Sequence, residues 1–92
     1  MSTRTRIEDL LRLLEIRDRE LLQLMRAEGL FEADELTADE CEEFRVAVEL
    51  MRDLGVNAAG VEVILRLRGR LMVLQSRTAE ALRILLEERE GG

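Results

Sequence analysis

The chain has 92 residues, a net charge of −6 and 37% charged residues, and it lacks proline, tryptophan, tyrosine, histidine and lysine altogether. One domain of this size holds only a modest core, and a composition led by Leu, Ala, Val, Glu and Arg favours helices over a sheet. With no histidine and a single cysteine, His-based triads, His or four-Cys zinc sites and an internal disulfide are all excluded.

Ile7, Leu10, Leu11 and Leu14 repeat at i, i+3, i+4 and i+7, the stripe of a short first helix. Thr5 and Glu8 have capping-box spacing and are expected to start it. A change of phase near Glu15–Arg17 implies a break, although neither glycine nor proline stands there. Asp18 is the expected N-cap of a second helix carrying Leu21, Leu22, Leu24 and Met25. Gly29 ends that helix, and Leu30 and Phe31 turn back onto the core. Two short helices joined tightly form a helix-turn-helix-like unit. Glu32 to Leu36 reads as a short polar connection. Thr37 and Glu40 form a second capping box, which opens a third helix running to about Leu54. Its apolar face is Phe44, Val48, Met51 and Leu54, widened by Cys41, Ala47 and Leu50.

Gly55 ends the third helix and Asn57 caps a fourth. From Ala58 about 31 residues of helix make a rod of roughly 46 Å, longer than the domain needs. A heptad frame places Ile64, Leu71, Thr78 and Leu85 at one core position and Leu67, Leu74 and Ala81 at the other. Val61, Leu65, Met72, Ala79, Leu82 and Leu86 form a second stripe, and two adjacent stripes are too wide for a lone surface helix. Val61 to Leu67 are therefore assigned to the domain core. The distal part is assigned to a homodimer through Leu71, Leu74, Thr78, Ala81, Leu82 and Leu85. Arg89 to Gly92 are expected to fray. The expected architecture is all-α: residues 1–56 form a helical domain without an evident wing, and residues 57–92 form a long C-terminal helix that self-associates.

Charge is unevenly distributed. Residues 1–31 are neutral, residues 32–56 carry nine acids against two arginines, and residues 57–92 carry a net charge of +1. An acidic segment repels phosphate backbones and attracts basic protein surfaces, so nucleic acid is not an expected partner. Carboxylates on helices are chiefly a solvated face, so no catalytic residue, cofactor or metal is expected. Cys41, with apolar neighbours, reads as a small core residue. The opening MSTRTRIEDLL has no leader-like apolar stretch and no run reaches membrane-span length, which makes the cytoplasm the expected compartment.

In this order, IEDLLRLLEIRDRELLQLMRAEGLF, LTADECEEFRVAVELMRDLGVNAAGVEVILRL and RLMVLQSRTAEALRILLEE resemble the MerR-type helix-turn-helix superfamily. Within it they are most similar to CbpM-like modulators of DnaJ-type co-chaperones. The elbow Leu54-Gly55-Val56-Asn57 is the most specific piece. The resemblance implies a non-catalytic regulator that binds the J-domain of a DnaJ-like co-chaperone and blocks its work with its chaperone. J-domains present a basic helix, to which Glu32, Asp34, Glu35, Asp39, Glu40, Glu42 and Glu43 are complementary. Leu30, Phe31 and Leu36 are candidate apolar anchors beside them. The alternative is a reduced MerR-like transcriptional regulator of the heat-shock-repressor type, and a third reading is a plain helical oligomerisation module. Against DNA binding, Glu15 stands where DNA-binding members carry glycine, and the wing with its Arg-x-Tyr signature is missing. Arg17, Arg19 and Arg26 on the would-be recognition helix are offset by Asp18, Glu20 and Glu28.

Overall fold

A computed structural model describes residues 3–91; Met1 and Ser2 of the polar opening, and Gly92 of the expected frayed end, lie outside the described residues. The described chain is mostly helical, in the order β1 (Thr5–Arg6), α1 (Ile7–Leu13), α2 (Glu20–Ala27), β2 (Glu35–Leu36), α3 (Ala38–Arg52) and α4 (Ala58–Gly91). The two strands are antiparallel, with Thr5 opposite Leu36 and Arg6 opposite Glu35.

This strand pair corrects two expectations at once. Thr5 does not cap α1, which has Arg6 in extended conformation at its N-cap and no side-chain cap bond. The orphan N–H of Ile7 instead donates to the Asp34 carbonyl at 2.8 Å, so backbone from the α2–α3 connection does the work of a cap. The connection read as merely polar thus contributes β2, whose Leu36 is fully buried.

α1 ends on a pair of bonds, Ile16 N–H to the Leu11 carbonyl at 2.8 Å and Glu15 N–H to the Arg12 carbonyl at 3.1 Å. That is the Schellman arrangement, which needs a left-handed residue, and Glu15 takes it with φ +58°. α2 ends identically through Leu30 to Met25 and Gly29 to Arg26, with Gly29 at φ +79°. The N-cap of α2 is Arg19, without a side-chain cap bond, and not the expected Asp18; Asp18, one residue earlier, accepts at Oδ1 from Glu20 N–H at 2.9 Å. The capping box of Thr37 and Glu40 is complete. Asn57 Oδ1 accepts from Gly60 N–H at 2.8 Å, and Gly55 is left-handed at φ +69°.

The core joins Ile7, Leu10 and Leu11 of α1, Leu22 and Met25 of α2, Leu36, Phe44, Ala47 and Val48 of β2–α3, and Val61 and Leu65 of α4. Phe31 packs edge-on to Phe44 with ring centroids 5.2 Å apart. Cys41 is half-buried against the core. Leu54 falls past the end of α3 and is 71% exposed, against its expected place on the apolar face.

α4 is longer than expected: 34 residues, about 51 Å at 1.5 Å per residue, along a molecule 59 Å in its longest dimension. Only Ala58, Val61 and Leu65 of α4 are buried. Ile64 and Leu67, expected in the core, are 36% and 56% exposed. The reason is geometric. Ile64 lies about 100° round the helix from Leu65, and α3, with 15 residues, extends only about 22 Å alongside. Helix continues through Arg89, Glu90 and Gly91.

Candidate functional site

The acidic residues of the connection and of α3 separate into those engaged within the chain and those left outward. β2 alternates, burying Leu36 and turning Glu35 to solvent. Glu32 and Asp34 are exposed on the loop before it; Asp34 lies 3.6 Å from Arg26, with its side chain 93% accessible. Asp39 and Glu40 occupy the first turn of α3, where the helix dipole favours negative charge. Glu40 is committed to the cap: it accepts from Thr37 N–H at 3.0 Å. That backbone bond, followed by the Thr37 side chain, holds its carboxyl below the usual carboxylate range. Glu42 accepts from Arg45 Nε at 3.1 Å, and this pairing lowers its pKa and raises that of Arg45. Arg45 also reaches Glu49 at 2.6 Å. Glu32, Glu35, Asp39 and Glu43 make no ion pair among the described residues. The seven expected acids therefore lie along one stretch, from the loop before β2 to the first half of α3; Glu32, Asp34, Glu35, Asp39 and Glu42 are exposed, while Glu40 and Glu43 are half-buried.

Of the expected apolar anchors, Leu36 is withdrawn into the core and Leu30 and Phe31 are half-buried. Leu36 is fully buried, Phe31 lies against Phe44, and Leu30 packs on the core as the residue closing the α2 cap. Sequence reasoning missed a groove between α3 and α4, lined by Asp39, Glu43, Gly69, Met72 and Val73 among others. Its only sequence signal is a glycine in mid-helix, where side chains are otherwise large.

Arg19 at the start of α2 and Arg26 within it are both engaged by groups of the chain itself. Arg19 forms a two-pronged pair with Glu8 at 2.7 and 3.0 Å. Arg26 donates to the carbonyls of Phe31 at 3.0 Å and Ala33 at 3.4 Å, which steadies the loop at Phe31, whose φ is +52°. Arg52 on α3 donates to the Leu14 carbonyl at the end of α1. A single strand stands between α2 and α3, where a wing would require a hairpin.

Leu71, Leu74, Thr78, Ala81, Leu82 and Leu85 are all exposed on α4. They fall within an arc of about 100°, centred about 130° round the helix from the buried Val61 and Leu65. The Thr78 hydroxyl is satisfied locally by the Leu74 carbonyl at 2.9 Å. No helix of the described residues is long and apolar enough to cross a membrane. Among the described residues no cluster of His, Cys, Asp and Glu has the arrangement to hold a metal ion. Comparison with protein-family models, curated proteins and solved structures finds no match to this chain.

Proposed function

We propose that the protein is a non-catalytic, CbpM-like regulator that binds the J-domain of a DnaJ-like co-chaperone through its acidic β2–α3 edge. In this reading it is a cytoplasmic homodimer joined through α4, and it acts by covering the surface that the co-chaperone offers to its chaperone. The observation that carries this reading is the unpaired set of exposed Glu32, Glu35 and Asp39 and half-buried Glu43 beside the weakly paired Asp34, within a segment of net charge −7. Such a surface speeds encounter with a basic helix and selects against acidic partners.

A MerR-like DNA-binding role gains nothing from the geometry. Arg19 is neutralised at the surface by Glu8, and Arg26 donates to loop carbonyls, leaving a recognition helix with little to offer base edges or phosphates. For the J-domain reading, the test is pull-down of the cognate DnaJ-like protein by the Asp34→Arg, Asp39→Arg, Glu43→Arg triple variant. None of the three caps a helix with its side chain, and the Asp34 carbonyl that serves α1 is kept on substitution, so the helical circular-dichroism signal stays intact while capture is lost. Capture at the wild-type level by a folded triple variant defeats the proposal.

A further inference from the structure

Gly69 stands in the middle of α4, where glycine costs a helix about 1 kcal/mol relative to alanine. Nothing lies within 4 Å of where its Cβ would be, so the fold itself does not require the gap. The missing side chain opens the helix surface on two flanks. On one, Asp39, Glu42 and Glu43 of α3 face Arg68, Gly69, Met72 and Val73 across a groove of about 280 Å³. On the other, Arg66, Arg70 and Arg77 surround Val73 and Leu74.

We propose that the α3–α4 groove is the apolar anchor point of the acidic edge, taking one large apolar side chain from a basic amphipathic helix of the partner. The inference rests on the reading of β2–α3 as a partner surface. Three features fit this occupant. The volume lies just below the range of small-molecule pockets, about 300–1,000 Å³, which suits a side chain better than a cofactor. Met72 and Val73, 53% and 51% exposed, supply the apolar wall, and a thioether adapts its shape to what enters. The rim is acidic on balance, three carboxylates against the one guanidinium of Arg68: Asp39 and Glu43 carry no ion pair among the described residues, and Glu42 is held by Arg45.

Charge also decides between the flanks, since the arginine-lined side repels the same basic helix. A helix laid into the groove gains its specificity from the acids and its affinity from the buried anchor. Met72 lies about 130° round α4 from the centre of the dimer seam, so partner and second copy can bind together.

The test uses the full chain with ¹³C-methyl methionine, titrated with a purified J-domain and, separately, with a synthetic amphipathic peptide of leucine and arginine. The Met72 methyl resonance is expected to shift while that of the fully buried Met25 stays in place. Gly69→Gln, which fills the groove, is expected to weaken binding at least tenfold with helicity retained. Leu85→Ser, on the seam, leaves binding unchanged. If the J-domain binds without moving Met72, and equally well to Gly69→Gln, the groove is wrong and the acidic edge stands. If the J-domain fails to bind but the peptide moves Met72 in a Gly69-dependent way, the J-domain assignment is wrong and the groove stands. If neither ligand moves Met72, the groove proposal falls. A Met72 shift on dilution of the protein alone makes a second copy the occupant, which also overturns it.

Discussion

Glu15 carries the clearest strain in the chain. Its φ of +58° costs a side-chain-bearing residue about 1–2 kcal/mol, and its carboxylate makes no hydrogen bond or ion pair among the described residues. The Schellman bonds around it require the conformation, not the carboxylate. Glu15→Gly is therefore expected to stabilise the protein by about 0.5–1 kcal/mol after the extra freedom of glycine in the unfolded chain is counted. Thermal unfolding should show a rise of a few degrees; a fall would mean that the glutamate has a role in the fold. The break here was legible as a change in hydrophobic phase, but its chemistry was not, because a tertiary bond from Arg52 to the Leu14 carbonyl helps hold a turn that local propensity disfavours. Thr37 and Thr5 make the same point. Both begin a Thr-x-x-Glu spacing, yet only Thr37 caps a helix, since backbone from Asp34 reaches Ile7 first. The seven acids were legible as a group. That Glu40 serves the cap and Glu42 serves Arg45 depends on geometry that charge counting does not contain.

Among the elements, α4 is the one whose pattern exceeds its packing. Its heptad frame was legible because spacing survives whatever covers it. The domain's reach along it was not, because that depends on the length and direction of α3. From Leu71 onward every described α4 residue is exposed, with Leu71, Leu74 and Leu85 at 55–60%. Isolated helices have a costly nucleus and gain most of their stability from packing, so the distal half calls for a cover. A seam about 21 Å long from Leu71 to Leu85, apolar apart from Thr78, is also the kind of surface that soluble proteins rarely leave bare. The Leu71→Glu, Leu85→Glu double variant is expected to sediment as a monomer at concentrations where the parent is a dimer. Its helical signal should drop by about the distal turns of α4, while the core, which ends at Leu65, stays folded. A parent that sediments as a monomer at every concentration removes the dimer from the proposal.

At the scale of the whole molecule, the proposed J-domain edge and the proposed dimer seam would rest on different forces, and this separates them experimentally. The edge has a charge of −7 over residues 32–56, and its outward carboxylates are held apart from their partner's cations by solvent until contact. Attraction of this kind acts over about a Debye length, near 10 Å at 0.1 M salt and shrinking as salt rises. The seam is apolar apart from Thr78, whose hydroxyl is already bonded to its own helix, so its driving force is burial and salt does not screen it. Arg66, Arg68, Arg70 and Arg77 lie along α4 with no acid between Glu62 and Glu80, so two such helices brought together in register place like charges near one another. Salt relieves that repulsion. Raising sodium chloride from 50 to 300 mM is therefore expected to slow J-domain association at least tenfold in stopped-flow or biolayer measurements. Dimer dissociation, followed by sedimentation over the same range, should stay constant or weaken slightly. If both interactions weaken in parallel, the acidic edge and the basic stretch of α4 are bound to each other across the dimer. The edge would then be part of the assembly and closed to a J-domain.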